Sequence, residues 1–182
     1  MKNRVKSFLS VIAGKYKGRR LECADGVRPL TGLSKKSLFD ILTPYIGGAR
    51  FLDLFAGTGS VGLEALSRGA SQSVFVEKSP RVAELIRKNF ESGGVDTGEY
   101  DIVPVDARNY LEHTSEKFDI IFIGPPYPLM LDKDFMTLVF NALKPGGIAV
   151  CQHRTGCDFG FPQKAARTKV YGVTTIDFYI NE

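Results

Sequence analysis

Apolar positions along this chain come in two spacings, short unbroken or alternating runs and longer stripes that recur every three to four residues. The runs lie at residues 51–55, 72–77, 102–106, 118–123, 148–151, 168–171 and 174–180 and read as strands. The stripes read as helices. Leu38, Ile41, Leu42 and Tyr45 share one face after a cap at Ser34, and Pro44 with Gly47 and Gly48 marks the decay of that helix. Val61, Leu63 and Leu66 line the next, opened by Ser60. Val82, Leu85, Ile86 and Phe90 follow the cap Ser79 and the first-turn residue Pro80. Leu131, Phe135, Leu138, Val139 and Ala142 form a further stripe, ended by Lys144-Pro-Gly-Gly147. Near the N-terminus, residues 10–13 and 19–23 predict a hairpin around Gly14-Lys-Tyr-Lys-Gly18. Alternating strands and helices predict an α/β sandwich of seven strands, mostly parallel, with an antiparallel C-terminal strand and an added N-terminal β-hairpin.

Two segments about seventy residues apart carry candidate chemistry. In Asp53-Leu-Phe-Ala-Gly-Thr-Gly59 a buried strand runs into a Gly-x-Gly turn, whose backbone amides can approach a ligand before the helix begins. Such a turn alone is common in tight strand-to-helix connections. Glu77, at the end of the second apolar run, adds a carboxylate placed to accept both hydroxyls of a ribose. Asp106 closes a third run, and Ile123-Gly124-Pro125-Pro126-Tyr127 closes a fourth. All four strand ends meet at one rim of an open α/β sheet, where ligands bind. A nicotinamide-dependent oxidoreductase shares the acid after the second strand, but the glycine pattern lacks the later glycine in register.

Charge and composition narrow the picture further. The 182 residues are 43% apolar and 24% charged, which predicts one globular domain with a good core. The net charge of +4 is uneven, with +8 on residues 1–36 and −4 on the rest. The hairpin would present Lys15, Lys17, Arg19 and Arg20 to phosphates with Tyr16 among them, placed to stack on a base. No run of eighteen apolar residues and no signal-peptide pattern occurs, and Cys23, Cys151 and Cys157 form no Cys-x-x-Cys pair. The expectation is a cytoplasmic protein without a disulfide framework and without a metal. His113 lies in a polar turn-like stretch, and His153 could border the substrate mouth.

Ile12-Ala-Gly-Lys-Tyr-Lys-Gly-Arg-Arg-Leu21, Arg28-Pro-Leu-Thr31, Ser37-Leu-Phe-Asp-Ile-Leu42, Asp53 to Gly59, Gly62-Leu-Glu-Ala-Leu-Ser-Arg-Gly-Ala70, Val76-Glu77, Pro125-Pro-Tyr127 and the closing Tyr171-Gly172 with Phe178-Tyr179 together resemble the RsmD family of 16S rRNA guanine-N2 methyltransferases. The resemblance covers nearly the whole chain. It implies a Rossmann-like, S-adenosylmethionine-dependent methyltransferase domain over residues 27–182 behind a basic hairpin extension over 1–26. It further implies a cytoplasmic monomer acting on the small ribosomal subunit or its assembly intermediate. The implied cofactor residues are Arg28, Asp53, Phe55, Ala56, Gly57, Thr58, Gly59, Glu77, Lys78, Asp106, Ala107 and Gly124. The implied catalytic loop is Gly124, Pro125, Pro126 and Tyr127, with the Pro125 carbonyl accepting from the amine, Pro126 stiffening the loop and Tyr127 stacking on a flipped base.

The chain departs from the family pattern on the catalytic side. Gly124 stands where the family has Asp or Asn, so the side-chain acceptor for the amine is missing there. Asp119, Asp132 or a water are candidates to replace it, and restoring an acid by Gly124→Asp is expected to raise activity. Thr31-Gly32-Leu33 and Lys36 depart from the family residues after Arg28-Pro29, and Gln152 replaces a glutamate near the end of the fifth strand. The alternative reading is a catalytically weakened protein that binds cofactor and RNA and serves ribosome assembly.

Overall fold

In the computed structural model, residues 7–24, 30–126, 131–157 and 163–182 are described. A two-stranded antiparallel hairpin, β1 (Phe8–Ser10) and β2 (Arg20–Glu22), precedes a seven-stranded sheet. The sheet strands are β3 (Arg50–Asp53), β4 (Gln72–Val76), β5 (Tyr100–Val103), β6 (Phe118–Ile123), β7 (Leu143–Arg154), β8 (Arg167–Tyr171) and β9 (Thr174–Ile180). Their order is β5-β4-β3-β6-β7-β9-β8, with β3 to β7 parallel and β9 antiparallel to both its neighbours. A purely parallel dinucleotide-binding sheet has the order 3-2-1-4-5-6, so the antiparallel β9 wedged beside β7 separates this sheet from that class.

Side chains alternate between the two faces of the strands. Phe51, Phe75, Ile120, Phe122 and Val150 pack with helices α1 (Gly32–Ile46), α2 (Ser60–Ser67) and α3 (Pro80–Gly93) on one face. Leu52, Val74, Ile121, Ile123 and Ala149 pack with α4 (Ala107–His113) and α5 (Lys133–Ala142) on the other. The helix α4 is an addition to the sequence reading, which treated the stretch around His113 as a polar turn. Thr31, not Ser34, caps α1, accepting from the Ser34 amide. The buried face also differs from the expected one, since Phe39 and Ile46 join Leu38 and Leu42 in the core while Tyr45 is exposed. Lys144-Pro-Gly-Gly147 does not end before β7 but lies within it, as an irregularity between the pairs Phe118–Leu143 and Ile120–Ile148.

β1 starts and ends earlier than residues 10–13, because the amides of Ile12 and Ala13 leave the hairpin ladder for a carboxylate. They donate to the two oxygens of Glu64 on α2 at 2.8 and 3.1 Å. Glu64 is fully buried and also meets Arg68 Nε at 2.8 Å and Lys35 Nζ at 3.3 Å. The ammonium of Lys35, itself buried, also donates to the Ser10 carbonyl. The loop then crosses the end of α2 so closely that a Cβ at Gly14, φ +82°, would sit 1.6 Å from the Ser67 carbonyl oxygen. Ser67 accepts from the Tyr16 amide and donates to the Ala13 carbonyl. Asn89 on α3 pairs with both backbone groups of Glu22.

Removing one member of a buried ion pair strands the other charge, at a cost of about 3–5 kcal/mol. Glu64→Ala is therefore expected to destabilise the protein by about that amount, since it leaves buried Lys35 without its counter-charge and two hairpin amides without their acceptor. Urea unfolding of the native and variant proteins checks this, and a loss below about 1 kcal/mol would contradict it.

Candidate active site

The strand order reverses between β3 and β6, which is where open α/β sheets bind ligands at their C-terminal ends. Asp53 pairs with Phe75 on one side and Phe122 on the other, and the Leu54 amide donates to the Phe122 carbonyl at 3.0 Å. The loops after β3 and β6 thus leave the sheet at one level. Glu77 lies two residues past Phe75, Asp106 three past Val103, and Gly124 directly past Ile123, which pairs with Cys151. The four strand ends named from sequence share this rim.

Phe55, Ala56, Gly57, Thr58 and Gly59 form the turn between β3 and α2, with β3 ending at Asp53 rather than Phe55. Gly57 and Gly59 have φ of +53° and +74°. At Gly59 a second constraint applies, because a Cβ would meet Ile86 and Phe90 of α3 at 3.0 Å. One Glu77 oxygen accepts from the Gly57 amide at 3.0 Å and the other from the Ser79 amide at 2.9 Å. A carboxylate has about four acceptor positions, so both oxygens keep capacity for a ribose diol. The same bonds fix the carboxylate against the turn. Asp53 is buried beneath it and accepts from the Gly62 amide at 3.2 Å. Burial pushes its carboxyl up to about 7, opposed by the Gly62 bond, with Glu77 adding repulsion. Lys78 is exposed, Asp106 is exposed and caps α4 through the Arg108 amide, and Ala107 is buried in the first turn of α4.

Beyond β6, Gly124 is half-buried, Pro125 buried and Pro126 exposed. Arg28 and Tyr127 lie outside the described residues. The two aspartates considered as replacement acceptors are committed elsewhere. Asp119 sits at the opposite end of β6, bound to Lys144 and to the Arg50 amide. Asp132 caps α5 and receives Arg108 on both oxygens at 2.8 Å. The polar atom beside Gly124 is instead the side-chain oxygen of Gln152, 3.6 Å from where a Cβ at 124 would lie. Closer still is the buried ring of Phe122, at 2.7 Å from the same point. In the sequence Gln152 stands out only as a departure from the family pattern, and Phe122 as one apolar residue of a strand. Both lie on the face of Gly124, Phe122 by the two-residue repeat of its own strand and Gln152 by register.

The basic hairpin keeps part of its expected character. Lys17, Arg19 and Arg20 are exposed, with Arg20 lying over the Phe8 ring. Tyr16 is not placed to stack on a base. It is buried, and its hydroxyl donates to Glu99 at 2.7 Å while accepting from the Asp96 amide at 3.2 Å. The aromatic ring satisfies the core better than it would serve an exposed loop, and it anchors the hairpin to the turn Thr97–Glu99. Lys15 also bonds Glu99, which holds its ammonium above the usual lysine range. His153 is buried, with Nε2 2.8 Å from Asp177 and Nδ1 2.9 Å from the Arg154 carbonyl, so it ties β7 to β9. Among the described residues, no group of three or more His, Cys, Asp or Glu is arranged to hold a metal ion, and no helix is long and apolar enough to cross a membrane.

An acid whose carboxyl is raised on folding stabilises the fold fully below its unfolded value near 3.8 and loses that contribution as pH rises through about 7. Asp53→Asn should flatten the decline in stability between pH 4 and pH 7, measured by urea unfolding across that range. At Gly124, φ lies outside the left-handed region, so space alone limits substitution. Gly124→Ala and Gly124→Asp should each lose about 1–3 kcal/mol through displacement of the Phe122 ring, and Phe122→Leu should recover part of that loss in the double variant. Equal stability of Gly124→Ala and the native chain would show that the ring yields freely.

Comparison with known proteins agrees with this architecture. Residues 9–180 match the family model described as conserved hypothetical protein 95. The Bacillus subtilis protein YlbH is 32% identical over 183 aligned residues, covering 94% of this chain and 98% of its own length. The Haemophilus influenzae protein named ribosomal RNA small subunit methyltransferase D is 33% identical, covering 79% of this chain and 77% of its own. The solved structure of the Escherichia coli protein yhhF superposes with a TM-score of 0.85 at 29% identity, over 97% of this chain and 99% of that one. With the family model spanning both the glycine turn and the Gly124 loop, the chain belongs to the conserved hypothetical protein 95 family of RsmD-like methyltransferases.

Proposed function

We propose that the protein is an S-adenosylmethionine-dependent rRNA methyltransferase that modifies the exocyclic N2 amine of a guanine in 16S rRNA. The observation that carries this reading is the common level of two loops at the switch point, the glycine turn fixed by Glu77 and the Gly124-Pro125-Pro126 loop after β6. Further support comes from relatives in Haemophilus influenzae and Escherichia coli that are named ribosomal RNA small subunit methyltransferase D.

The residues present suit the cofactor. Glu77 offers a fixed carboxylate to the ribose hydroxyls, the backbone of residues 56–59 accepts close approach, and Asp106 lies at the next strand end on the same rim. When bound, the cofactor supplies an electrophilic methyl carbon on a sulfonium. The protein's task is then positional, since an in-line displacement needs the nucleophile held near van der Waals distance and aligned. Pro125 closes the β6 loop from the buried side and Pro126 restricts its backbone, so carbonyls there accept from the amine with little freedom to lose. Exposed Lys17, Arg19 and Arg20 lie on the hairpin and would meet RNA phosphates, while Tyr16 and Lys15 hold that hairpin in place.

A weakened enzyme that serves assembly instead is favoured by one residue, Gly124, which removes the side-chain acceptor expected in that loop. Methyl transfer separates the readings. Small ribosomal subunits from a strain lacking its own N2 methyltransferase should acquire tritiated methyl groups from S-adenosylmethionine, recovered as N2-methylguanosine after nuclease digestion. Failure to label in a single turnover with enzyme in excess would favour the assembly reading. The Lys17→Ala, Arg19→Ala, Arg20→Ala variant should bind the subunit more weakly, with the slope of log K against log salt falling by about 2–3. Tyr16→Phe should leave that slope unchanged.

A further inference from the structure

We infer that Gln152 provides, through its side-chain carbonyl, the hydrogen-bond acceptor for the substrate amine that position 124 cannot provide. The inference rests on the amine-methylation reading above and deepens it.

Three observations converge on this residue. Gln152 Oε1 lies 3.6 Å from the point where a side chain at 124 would begin, so it occupies the neighbourhood from which such a side chain would act. The parallel register places the two residues side by side, since Ile123 pairs with Cys151 and each chain then advances one residue. The competing acids are engaged, Asp119 with Lys144 at the far end of β6 and Asp132 with Arg108. Gln152 itself is half-buried at the rim. Phe122 completes the arrangement. Its buried ring lies 2.7 Å from the point where a Cβ at 124 would sit, so a side chain there would have to displace it, while the Gln152 oxygen stands 3.6 Å from the same point.

The chemistry suits a neutral amide. The amine nitrogen forms a bond to the methyl carbon while the sulfur–carbon bond breaks, with its electron pair kept by sulfur. The nitrogen then sheds one proton to water. Gln152 takes no proton in this sequence. It accepts a hydrogen bond from an amine N–H that becomes more acidic as positive charge develops, so the bond is stronger in the transition state than with bound substrate. The Pro125 loop carbonyl serves the second N–H. Gln152 would thus touch the substrate and act in kcat more than in binding.

Gln152→Leu, close in volume and lacking the acceptor, should lower kcat roughly ten- to a hundredfold. KM for the subunit, and the affinity for S-adenosylhomocysteine measured by calorimetry, should stay within about twofold of native. Gln152→Glu should retain activity and gain an acid limb in the pH profile of kcat, because a protonated carboxyl is a poorer acceptor; a residue that only packs would confer no such limb. Native and Gln152→Leu proteins with equal kcat would overturn the inference and leave the functional reading standing. A Gln152→Leu protein that loses S-adenosylhomocysteine affinity in proportion to its rate would overturn it as well, by locating the residue in the cofactor site. If the native protein transfers no methyl group to the subunit, the functional reading fails and this inference falls with it.

Discussion

The arrangement of this protein depends on one buried carboxylate. Glu64 is on the helix that follows the glycine turn, and its two oxygens gather the amides of Ile12 and Ala13, the guanidinium of Arg68 and the ammonium of Lys35. A buried charge is tolerated only when several donors replace water, and here the donors come from the hairpin, α1 and α2. The hairpin therefore cannot be treated as a loosely appended basic arm. Its loop passes through the ion cluster, across Ser67 and into the Tyr16–Glu99 contact, so its basic residues stand on a hairpin whose Val11, Tyr16 and Leu21 are continuous with the core on the sheet's first face.

That continuity bears on how RNA and cofactor would be read together. The helix carrying Glu64 starts at the Gly57-Thr58-Gly59 turn, and the same helix supplies the Gly62 amide to Asp53. One short element thus connects the hairpin to the base of the glycine turn. Asp53 is poised near neutrality by burial, while Glu77 above it is held by two amides. The acid that stabilises the turn from below and the acid that would meet a ribose from above differ in environment, which lets one act structurally while the other stays available.

Much of this was legible in the sequence because periodicity and turn chemistry agreed. The seven strands, the Ser79-Pro80 helix start and the common rim of Asp53, Glu77, Asp106 and Gly124 required only local patterns. The misreadings came where tertiary partners override local rules. Thr31 displaced Ser34 as cap, and the sheet took Phe39 and Ile46 into the core while leaving Tyr45 exposed. The amides of residues 12 and 13 chose Glu64 over a strand ladder, and Tyr16 in a basic loop turned inward because Glu99 and Asp96, eighty or more residues away, satisfy its hydroxyl. A single sequence offers no signal for such distant partners.

Gly124 illustrates the same limit at the site itself. Read along the chain, it is a lost functional group. In three dimensions the volume beside it is shared by Phe122 from two residues back and Gln152 from the adjoining strand, so the three positions form one unit. A side chain at 124 would have to move the ring at 122, and the amide at 152 is the polar group beside the same point. Restoring an acid at 124 would have to displace a buried aromatic ring, which sets a packing cost against any gain in hydrogen bonding. The departure from the family pattern is thus better understood together with the packing around it than as the deletion of one residue, and the chemistry of the loop should be sought in the combination.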